Sequence, residues 1–274
     1  MAVPMLAPAR GEVELRDPVF ISDLHLALQR PRTLERFLRL LAGWPRAGGA
    51  ELVILGDLFE YWAGDDDLAA GSGDVGDDPS AANESVGDVV ARALRALARR
   101  GVPVFVMHGN RDLLLGTGFL AAAGATLLAD PALARVAGMP TLLAHGDAYC
   151  TRDVEYQRFR AQARNPQFQA GFLARPLAER KALIGEARSA SEAGKQTKAM
   201  EIMDVTPEAI DTALRAAGTA RMIHGHTHRP AHHVFELDGA PAQRWVLTDW
   251  DLDGDAPRGG GLRLEGGSLE VFAV

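Results

Sequence analysis

The sequence of 274 residues predicts an α/β fold, and three observations support that prediction. Five short apolar runs rich in β-branched residues each end in a polar cluster, which is typical of buried strands. Amphipathic helical patterns lie between several of these runs. Hydrophobic residues make up 47% of the chain and charged residues 24%, which is enough apolar material for a sizeable core. We therefore expect a single domain that spans residues 1–274.

The apolar runs and the polar clusters define the predicted sheet. The predicted strands are 19–21, 52–55, 102–107, 141–144 and 220–223. They lead into polar clusters at 22–25, 56–57, 108–112, 145–147 and 224–228. In an open α/β sheet, ligands bind beyond the carboxyl ends of the strands. We therefore expect the five clusters to meet in one functional site.

Three further segments have helical patterns. The spacing of apolar residues predicts one helix over 33–41 and a second over 86–100, which ends at a glycine. Residues 206–208 read Thr-Pro-Glu, the pattern of an N-cap, a first-turn proline and an acidic first turn, so a third helix is expected to begin there. From about residue 233 onwards, short apolar runs alternate with glycine-rich turns. This pattern predicts strands and hairpins, which we expect to form an additional β layer.

Charge is distributed unevenly along the chain. There are 29 Lys+Arg against 36 Asp+Glu, and this net charge of −7 argues against a general nucleic-acid-binding surface. Residues 57–88 contain ten acidic residues and no lysine or arginine, so we expect 65–88 to be a solvated acidic loop. Residues 152–203 contain ten basic and six acidic residues, a net of +4, in a helical pattern. We expect that segment to be a basic helical insertion.

The cysteine content and the apolar runs limit the class of protein. The single cysteine, Cys150, excludes a disulfide-stabilised fold and a thiolate-rich metal site. No apolar run reaches the ~20 residues needed to cross a bilayer, and the N-terminal residues lack a signal-peptide pattern. These features predict a soluble intracellular protein. The patterns indicate no obligate protein partner, and none is expected.

The polar clusters supply a mixed set of oxygen and nitrogen ligands. In the segments D-L-H and H-T-H, two side chains lie two residues apart, so both point the same way from extended backbone. The set comprises Asp23, His25, Asp57, Asn110, His145, His226 and His228. It is too large for one ion and suits two borderline divalent metals that share Asp57. Two such ions can clamp a phosphoryl group and activate water. The alternative is that single members are helix caps or hydrogen-bonded core residues.

The order of these motifs, D-x-H, G-D, G-N-R-D, H and G-H-x-H, resembles that of the calcineurin-like metallophosphoesterase superfamily. The resemblance implies a four-layer αββα sandwich in which residues 152–203 form a helical cap. It also implies a ligand set for each metal. The first ion would be held by Asp23, His25, Asp57 and His228. The second ion would be held by Asp57, Asn110, His145 and His226.

Four longer segments are similar to a narrower family, the UDP-2,3-diacylglucosamine diphosphatases of lipid A synthesis. These segments are 20–26, 54–60, 108–116 and 224–230. The similarity implies hydrolysis of a lipid-nucleotide pyrophosphate to 2,3-diacylglucosamine 1-phosphate and UMP. Water would attack the α-phosphorus at a centre of two divalent ions, with Mn²⁺ preferred. A cytoplasmic location is implied as well, with peripheral contact to the inner membrane surface.

The family resemblance also implies roles for individual residues. Catalytic roles are implied for Asp57, Asn110, Arg111 and His226. Substrate contacts are implied for Asn110, Arg111, Asp153, Ser191, Lys195, Lys198 and His226, although the family usually has asparagine where Lys195 stands. Many members of the superfamily have histidine in place of Arg111. A guanidinium suits a pyrophosphate because it stays charged and donates two parallel hydrogen bonds.

The insertion and the function each leave alternatives open. Apolar and basic residues alternate at helical spacing over 164–188, which predicts an element able to lie on anionic lipid. An ordinary helical cap that packs its apolar face on the core would have the same pattern. The chain is alternatively another calcineurin-like phosphodiesterase or phosphatase that acts on nucleotides or phosphoproteins. A third alternative is a non-catalytic interaction module on the same fold.

Overall fold

The computed structural model describes residues 12–44, 50–68, 85–195 and 202–274, with only the backbone described at 190–195. The strands of these residues are β1 (Val13–Leu15), β2 (Asp17–Ile21), β3 (Ala50–Leu55), β4 (Val104–Met107), β5 (Thr126–Leu128), β6 (Ala132–Val136), β7 (Met139–Ala144), β8 (Arg221–His224), β9 (Ala231–Leu237), β10 (Ala240–Val246), β11 (Gly260–Glu265) and β12 (Ser268–Ala273). The α-helices are α1 (Pro31–Ala42), α2 (Val86–Arg99), α3 (Thr117–Ala123), α4 (Val154–Ala163), α5 (Pro166–Leu173), α6 (Leu177–Lys195) and α7 (Pro207–Ala217).

The strands form two six-stranded sheets. The first sheet has the order β1-β6-β7-β8-β10-β9, and the second has the order β12-β11-β2-β3-β4-β5. Strands β2 to β5 run parallel to one another in the second sheet, and β7, β8 and β10 run parallel to one another in the first. All five predicted strands are confirmed, as β2, β3, β4, β7 and β8. Their carboxyl ends carry the five polar clusters.

Strand β3 illustrates why the sequence produces four layers. Leu52 and Ile54 pack into the core beneath α1, α2 and α3. Val53 and Leu55 point the other way, into the core between the two sheets, where they join Leu143 of β7. Because side chains alternate along a strand and both faces are buried, the run is continuously apolar. Helix α7 covers the outer face of the first sheet. The predicted αββα order is therefore confirmed.

The three predicted helices are confirmed as α1, α2 and α7. Helix α2 begins with a reciprocal capping box, in which Ser85 Oγ accepts the Asp88 N–H and the Asp88 carboxylate accepts the Ser85 N–H. It ends just before Gly101, whose φ of +85° favours glycine. Thr206 occupies the N-cap position of α7, but its hydroxyl bonds to the Thr151 hydroxyl at 2.8 Å and not to the helix backbone. The start of α7 is therefore tied to the neighbouring loop.

The C-terminal strands correct one expectation. Strands β9 and β10 extend the first sheet, and β11 and β12 extend the second, so they form no additional layer. The physical reason is that β8 and β2 would otherwise be edge strands with unpaired backbone groups, which β10 and β11 pair. Between β10 and β11, the fully buried Trp250 packs edge-on against Phe37 and donates its indole N–H to Gly260. Its backbone N–H donates to the Asp23 carbonyl, so this crossing segment supports the first polar cluster.

The predicted helical insertion folds as α4, α5 and α6. Helix α6 contacts the loop after β3 through three ion pairs, Arg180 with Asp66, Lys181 with Asp67 and Arg188 with Glu60. The Arg180 side chain is almost fully buried and also donates to the Ala63 carbonyl. No helix of the described residues is long and apolar enough to span a membrane.

Residues 65–67 also correct an expectation, because they are not a solvated acidic run. The Asp65 carboxylate accepts the backbone N–H groups of Gly116, Gly118 and Phe119 at 3.0, 2.7 and 3.1 Å. These N–H groups belong to the start of α3 and have no partner within the helix, so a carboxylate there is stabilising. Residues 69–84 of the predicted acidic loop lie outside the described residues.

Candidate metal centre

The polar clusters at the ends of β2, β3, β4, β7 and β8 converge, as predicted. Backbone hydrogen bonds join clusters that are distant in sequence. The Asp23 N–H donates to the Gly56 carbonyl at 3.1 Å, and the Gly225 N–H donates to the His145 carbonyl at 2.9 Å. The His226 N–H, after β8, donates to the Asp23 carboxylate, after β2, at 2.8 Å, so loops from both sheets form one framework that holds the candidate ligands.

Backbone strain is concentrated in the same framework. Seven non-glycine residues among those described have a positive φ. Five of these are predicted metal ligands, with φ between 49° and 70°: Asp23, His25, Asp57, His226 and His228. The left-handed region costs about 1–3 kcal/mol for a non-glycine residue, and such strain clusters at functional sites. The fold thus holds these side chains in orientations that the free chain avoids.

The first ligand group comprises Asp23, His25 and His228, whose ligand atoms lie within 4.8 Å of one another. The Nε2 atoms of the two histidines are 3.2 Å apart, and His228 Nε2 lies 3.6 Å from Asp23 Oδ1. The other carboxylate oxygen of Asp23 accepts from Ser22 Oγ at 2.6 Å and from the His226 N–H at 2.8 Å. Among the described residues no group donates a hydrogen bond to the buried Asp23 Oδ1, so this atom is available as a ligand.

The second ligand group comprises Asp23, Asp57 and His145, again with ligand atoms within 4.8 Å. His145 Nε2 lies 3.7 Å from Asp57 Oδ2 and 3.0 Å from Asn110 Oδ1. The His226 ring packs edge-on against His145, with 4.9 Å between ring centroids. All seven predicted ligands are therefore brought together. Asp23 is common to both groups, and the prediction that Asp57 is shared by two ions stays a prediction.

The donor set fits cations. His145 Nδ1 forms a hydrogen bond with the Leu55 carbonyl at 3.0 Å, so Nε2 is the ring nitrogen that faces the Asn110 oxygen and the site. His228 Nδ1 lies 3.3 Å from Asp249 Oδ2, so its Nε2 likewise faces the site. A cation that binds there replaces any proton on these Nε2 atoms and makes each of them a ligand. Carboxylate, amide and imidazole ligands suit borderline divalent metals.

Burial sets the charge states of the ligand side chains. It raises the pKa of Asp57 to about 7, although the charge of His145 acts in the opposite direction. Burial opposes ionisation of Asp23 as well, but the neighbouring His228 and the charge of His145 hold its pKa well below the usual range. Burial lowers the pKa of His226 to about 3, so this imidazole is neutral and able to ligate. A bound cation would favour the ionised form of Asp57.

Two glycines allow the ligand loops to approach each other closely. A Cβ at Gly109 would collide with the Asp57 carboxylate, and a Cβ at Gly225 would collide with that of Asp23. Neither glycine has a positive φ, so the requirement at both positions is space. Gly56 differs, because its φ of +86° is a conformation that favours glycine, and the turn there brings Asp57 into the site.

Arg111 supports the centre with its backbone and adds a cation beside it. Its N–H donates to Asp57 Oδ1 at 2.8 Å. Its guanidinium Nη1 lies 3.5 Å from Glu60 Oε1, and the side chain is 19% exposed. Burial lowers the pKa of His25 well below its usual range, and the charges of His228 and Arg111 add to the effect. A fixed cation with partial access to solvent suits an anionic group at the ligand set.

The structure describes one of the four predicted substrate-contact side chains in the insertion. Asp153 is largely buried as the N-cap of α4, where its Oδ1 accepts the Tyr156 N–H at 3.1 Å. Ser191 and Lys195 lie where only the backbone of α6 is described, and Lys198 lies outside the described residues. Their contacts with substrate stay predictions.

Two carboxylates that the sequence analysis assigned no role support the ligand loops. The buried Asp112 accepts the Gly109 N–H at 2.8 Å and a backbone N–H of the loop after β3 at 2.7 Å. Asp249, after β10, faces His228 and is held by two hydrogen bonds from Arg258, at 2.8 and 2.6 Å. Asp112 belongs to the G-N-R-D motif, so the sequence pattern could have pointed to it. The T-D-W-D segment around Asp249 lies far from the other motifs, and no spacing rule connects it to them.

Replacing Asp249 with asparagine is expected to weaken Mn²⁺ binding by about 10–100-fold, because the carboxylate fixes the His228 ring and makes its Nε2 more basic. Isothermal titration calorimetry with Mn²⁺ measures this change. Asp251→Asn is the matched control, since Asp251 pairs with Arg30 and Arg258 and contacts none of the predicted ligands. Equal Mn²⁺ affinity for Asp249→Asn and the unmodified protein would show that Asp249 does not orient His228.

Most basic side chains that the structure describes in the insertion form ion pairs, so fewer free cations are present there than the net charge of +4 suggests. In α4 and its C-cap, Arg160 lies 2.9 Å from the Asp147 carboxylate, and Arg164 lies 3.1 Å from that of Asp130. The basic residues of α6 pair with the loop after β3: Arg180 with Asp66, Lys181 with Asp67, and Arg188 with Glu60. The reason is that acidic residues after β3, β5 and β7 face the insertion.

Comparisons with known proteins agree with the geometry. The family model described as calcineurin-like phosphoesterase matches residues 19–230, which include all seven predicted ligands. The UDP-2,3-diacylglucosamine hydrolase of Aromatoleum aromaticum is 48% identical over 235 residues, 86% of this chain and 89% of that protein. The protein of the same name from Bordetella pertussis is 45% identical over 264 residues, 96% of this chain and 97% of that protein. A third, from Chromobacterium violaceum, is 48% identical over 256 residues, 93% and 98% of the two chains. The chain therefore belongs to the calcineurin-like phosphoesterase family and, within it, to the family of the UDP-2,3-diacylglucosamine hydrolases.

Proposed function

We propose that this chain hydrolyses UDP-2,3-diacylglucosamine in lipid A biosynthesis. Water adds to the α-phosphorus as the bond to the bridging oxygen breaks. The water oxygen then stays with UMP, and the bridging oxygen leaves with 2,3-diacylglucosamine 1-phosphate. Relatives that are 44–48% identical and carry this substrate in their names support the proposal. The observation that carries it is Arg111 beside a complete set of seven metal-ligand side chains.

The proposed cofactor is a pair of divalent ions, with Mn²⁺ preferred, held by the two ligand groups. Such ions, when bound, polarise phosphoryl oxygens and lower the pKa of water. Arg111 binds phosphoryl oxygens through its planar fork and stabilises the charge that develops as the bond breaks. Asn110 and His226 adjoin His145 of the second ligand group, and we propose that they ligate the second ion and also contact the phosphates. Asp57 anchors Arg111 through the backbone hydrogen bond and serves as the proposed shared ligand.

The proposed cap, residues 152–203, binds the diacylglucosamine part of the substrate with Asp153, Ser191, Lys195 and Lys198. Apolar side chains on its surface suit acyl chains, since Phe159 and Phe168 are 50% and 42% exposed. Because most basic side chains of the cap are paired, apolar contact contributes more to lipid binding than the net charge of +4 suggests. We accordingly propose peripheral contact with the cytoplasmic face of the inner membrane.

An isotope experiment tests the proposed reaction. Purified protein loaded with Mn²⁺ is given UDP-2,3-diacylglucosamine in water enriched in ¹⁸O, and the products are analysed by mass spectrometry. The expected result is UMP that carries one ¹⁸O. Label in the lipid 1-phosphate would place the attack on the other phosphorus. No UMP from protein shown to hold metal would refute the substrate.

Rival functions and the proposed membrane contact are distinguished by simpler assays. A higher kcat/KM for bis(p-nitrophenyl) phosphate than for the lipid nucleotide would favour a nucleotide phosphodiesterase. Absence of turnover with any phosphoester, in protein that binds two ions, would favour an interaction module. Sedimentation with phosphatidylglycerol-containing vesicles tests the membrane contact, which we expect to persist at high salt because apolar burial is insensitive to screening.

A further inference from the structure

Glu60 lies where the cap, the metal centre and Arg111 meet. It lies three residues after Asp57 in the loop after β3, and its backbone N–H donates to the Leu26 carbonyl at 3.2 Å. Its Oε2 lies 3.5 Å from His25 Nδ1, and its Oε1 lies 3.5 Å from Arg111 Nη1. The same Oε1 accepts a hydrogen bond from Arg188 of α6. One carboxylate, 17% exposed, therefore faces a predicted metal ligand, a predicted catalytic cation and the cap.

The contact with His25 has a chemical consequence. Among the described residues the buried His25 Nδ1 makes no hydrogen bond, and the Glu60 carboxylate faces it at 3.5 Å. A proton on Nδ1 that is directed at this carboxylate leaves the lone pair on Nε2, the atom that faces His228 at 3.2 Å. A carboxylate behind a ligating histidine fixes the ring and strengthens it as a ligand. Asp249 stands in the same relation to His228 on the other side of the first ligand group.

The contact with two arginines has a second consequence. Arg111 and Arg188 both direct guanidinium groups at the same Glu60 oxygen, and without the carboxylate the two like charges would repel each other. Arg188 also packs over the Tyr61 ring, 5.9 Å from its centroid. Packing of α6 thus places the Arg188 guanidinium against Glu60. Glu60 in turn limits where the Arg111 guanidinium can lie.

We propose that Glu60 is a positioning residue through which Arg188 of the cap holds His25 and Arg111 in their working orientations. The inference rests on the proposed function, because it treats Arg111 and the first ligand group as the reacting site. Glu60 does not contact the reacting atoms, and it acts through His25 and Arg111. The cap is thereby coupled to the metal centre as well as to the lipid part of the substrate.

The structure supplies a matched control for this coupling. Asp67 and Lys181 form a second ion pair between the loop after β3 and α6. Neither of them contacts a predicted metal ligand or Arg111 among the described residues. If the carboxylates after β3 served only to dock α6, neutralising Asp67 and neutralising Glu60 would have the same effect. If Glu60 positions the centre, neutralising Glu60 will lower metal affinity and kcat, whereas neutralising Asp67 will not.

The test compares Glu60→Gln with Asp67→Asn in the full-length protein, with Mn²⁺ affinity measured by calorimetry and kcat and KM measured with UDP-2,3-diacylglucosamine. Glu60→Gln is expected to lower Mn²⁺ affinity and kcat by about 10–100-fold each. Asp67→Asn is expected to leave both unchanged and to alter KM alone. Glu60→Gln combined with Arg188→Met is expected to lower kcat no further than Glu60→Gln does, because the two residues act as one unit.

Several outcomes would overturn the proposal. Unchanged Mn²⁺ affinity and kcat in Glu60→Gln would do so, and so would equal losses in Glu60→Gln and Asp67→Asn. Circular dichroism and thermal melting show whether each variant is folded, and Glu60→Asp provides a second variant of the same charge if the glutamine variant unfolds. The calorimetric measurement needs no substrate. A wrong substrate would therefore leave the Mn²⁺ comparison intact, and the two failures are distinguishable.

Discussion

Replacing Asp57 with alanine is expected to lower kcat/KM by at least about 10³-fold and to release bound metal. Asp57 is 2% exposed, its Oδ1 accepts the Arg111 N–H, and its Oδ2 lies 3.7 Å from His145 Nε2. Alanine removes a ligand oxygen and leaves the Arg111 N–H without its acceptor. Both changes affect the same centre, so the losses in kcat and in metal content are expected together.

Metal content by plasma mass spectrometry and steady-state kinetics with UDP-2,3-diacylglucosamine measure this outcome. Asp88→Ala is the matched control, since Asp88 is another buried aspartate and closes the capping box of α2. The control is expected to lose about 1 kcal/mol of stability while keeping metal and turnover. An Asp57→Ala variant with normal turnover would contradict the assignment. Loss of one ion and retention of the other would assign the shared position to Asp23, which belongs to both ligand groups.

Replacing Arg111 with alanine is expected to lower kcat by about 10²–10³-fold, the usual effect of removing a donor aimed at developing charge. Metal content is expected to stay unchanged, because the backbone N–H that donates to Asp57 remains. Arg111→Lys is expected to recover only part of the loss. Lysine restores the charge, but its ammonium lacks the planar pair of donors that matches a phosphoryl group.

Kinetics and metal content of both Arg111 variants test the role of the guanidinium. Arg215→Ala is the control, because Arg215 is an exposed arginine in an ion pair with Asp238, outside the candidate metal centre. Its removal is expected to leave kcat unchanged. A wild-type kcat in Arg111→Ala would show that the guanidinium does not stabilise the transition state. Loss of metal in Arg111→Ala would instead show that the side chain supports the ligand set.

The candidate site was predictable from sequence to the extent that it depends on local pattern. Each predicted ligand lies in a polar cluster that follows a short apolar run, and Asp23 and His25 lie two residues apart. Strands that end in polar residues converge because neighbouring parallel strands present their carboxyl ends at one edge. The glycines that let the ligand loops approach each other are visible in the sequence too, since Gly109 and Gly225 stand immediately before predicted ligands. For these reasons the seven ligands could be named before their geometry was known.

Short elements and their partners were harder to predict. Strands β1 and β5 have three residues each, which is too few for a period of two to stand out. Helix α3 has seven residues, and its N-terminal N–H groups are capped by Asp65 from another loop. That capping, like the pairing of Arg180 with Asp66, joins segments that no spacing rule connects. The acidic segment and the basic insertion therefore gave no sign, in the sequence, that their charges pair with each other.

The sequence by itself determined the α/β class, the five strands that carry ligands, and the mixed oxygen and imidazole character of the centre. Periodicity, strand ends and ligand chemistry are properties of neighbouring residues, and the chain displays them directly. Only the tertiary structure decided that the C-terminal strands extend both sheets, that Asp249 faces His228, and that Glu60 lies between His25, Arg111 and Arg188. Hydrogen bonds and ion pairs between distant segments form only where particular sheet edges and loops come into contact. Packing of the whole chain determines those contacts.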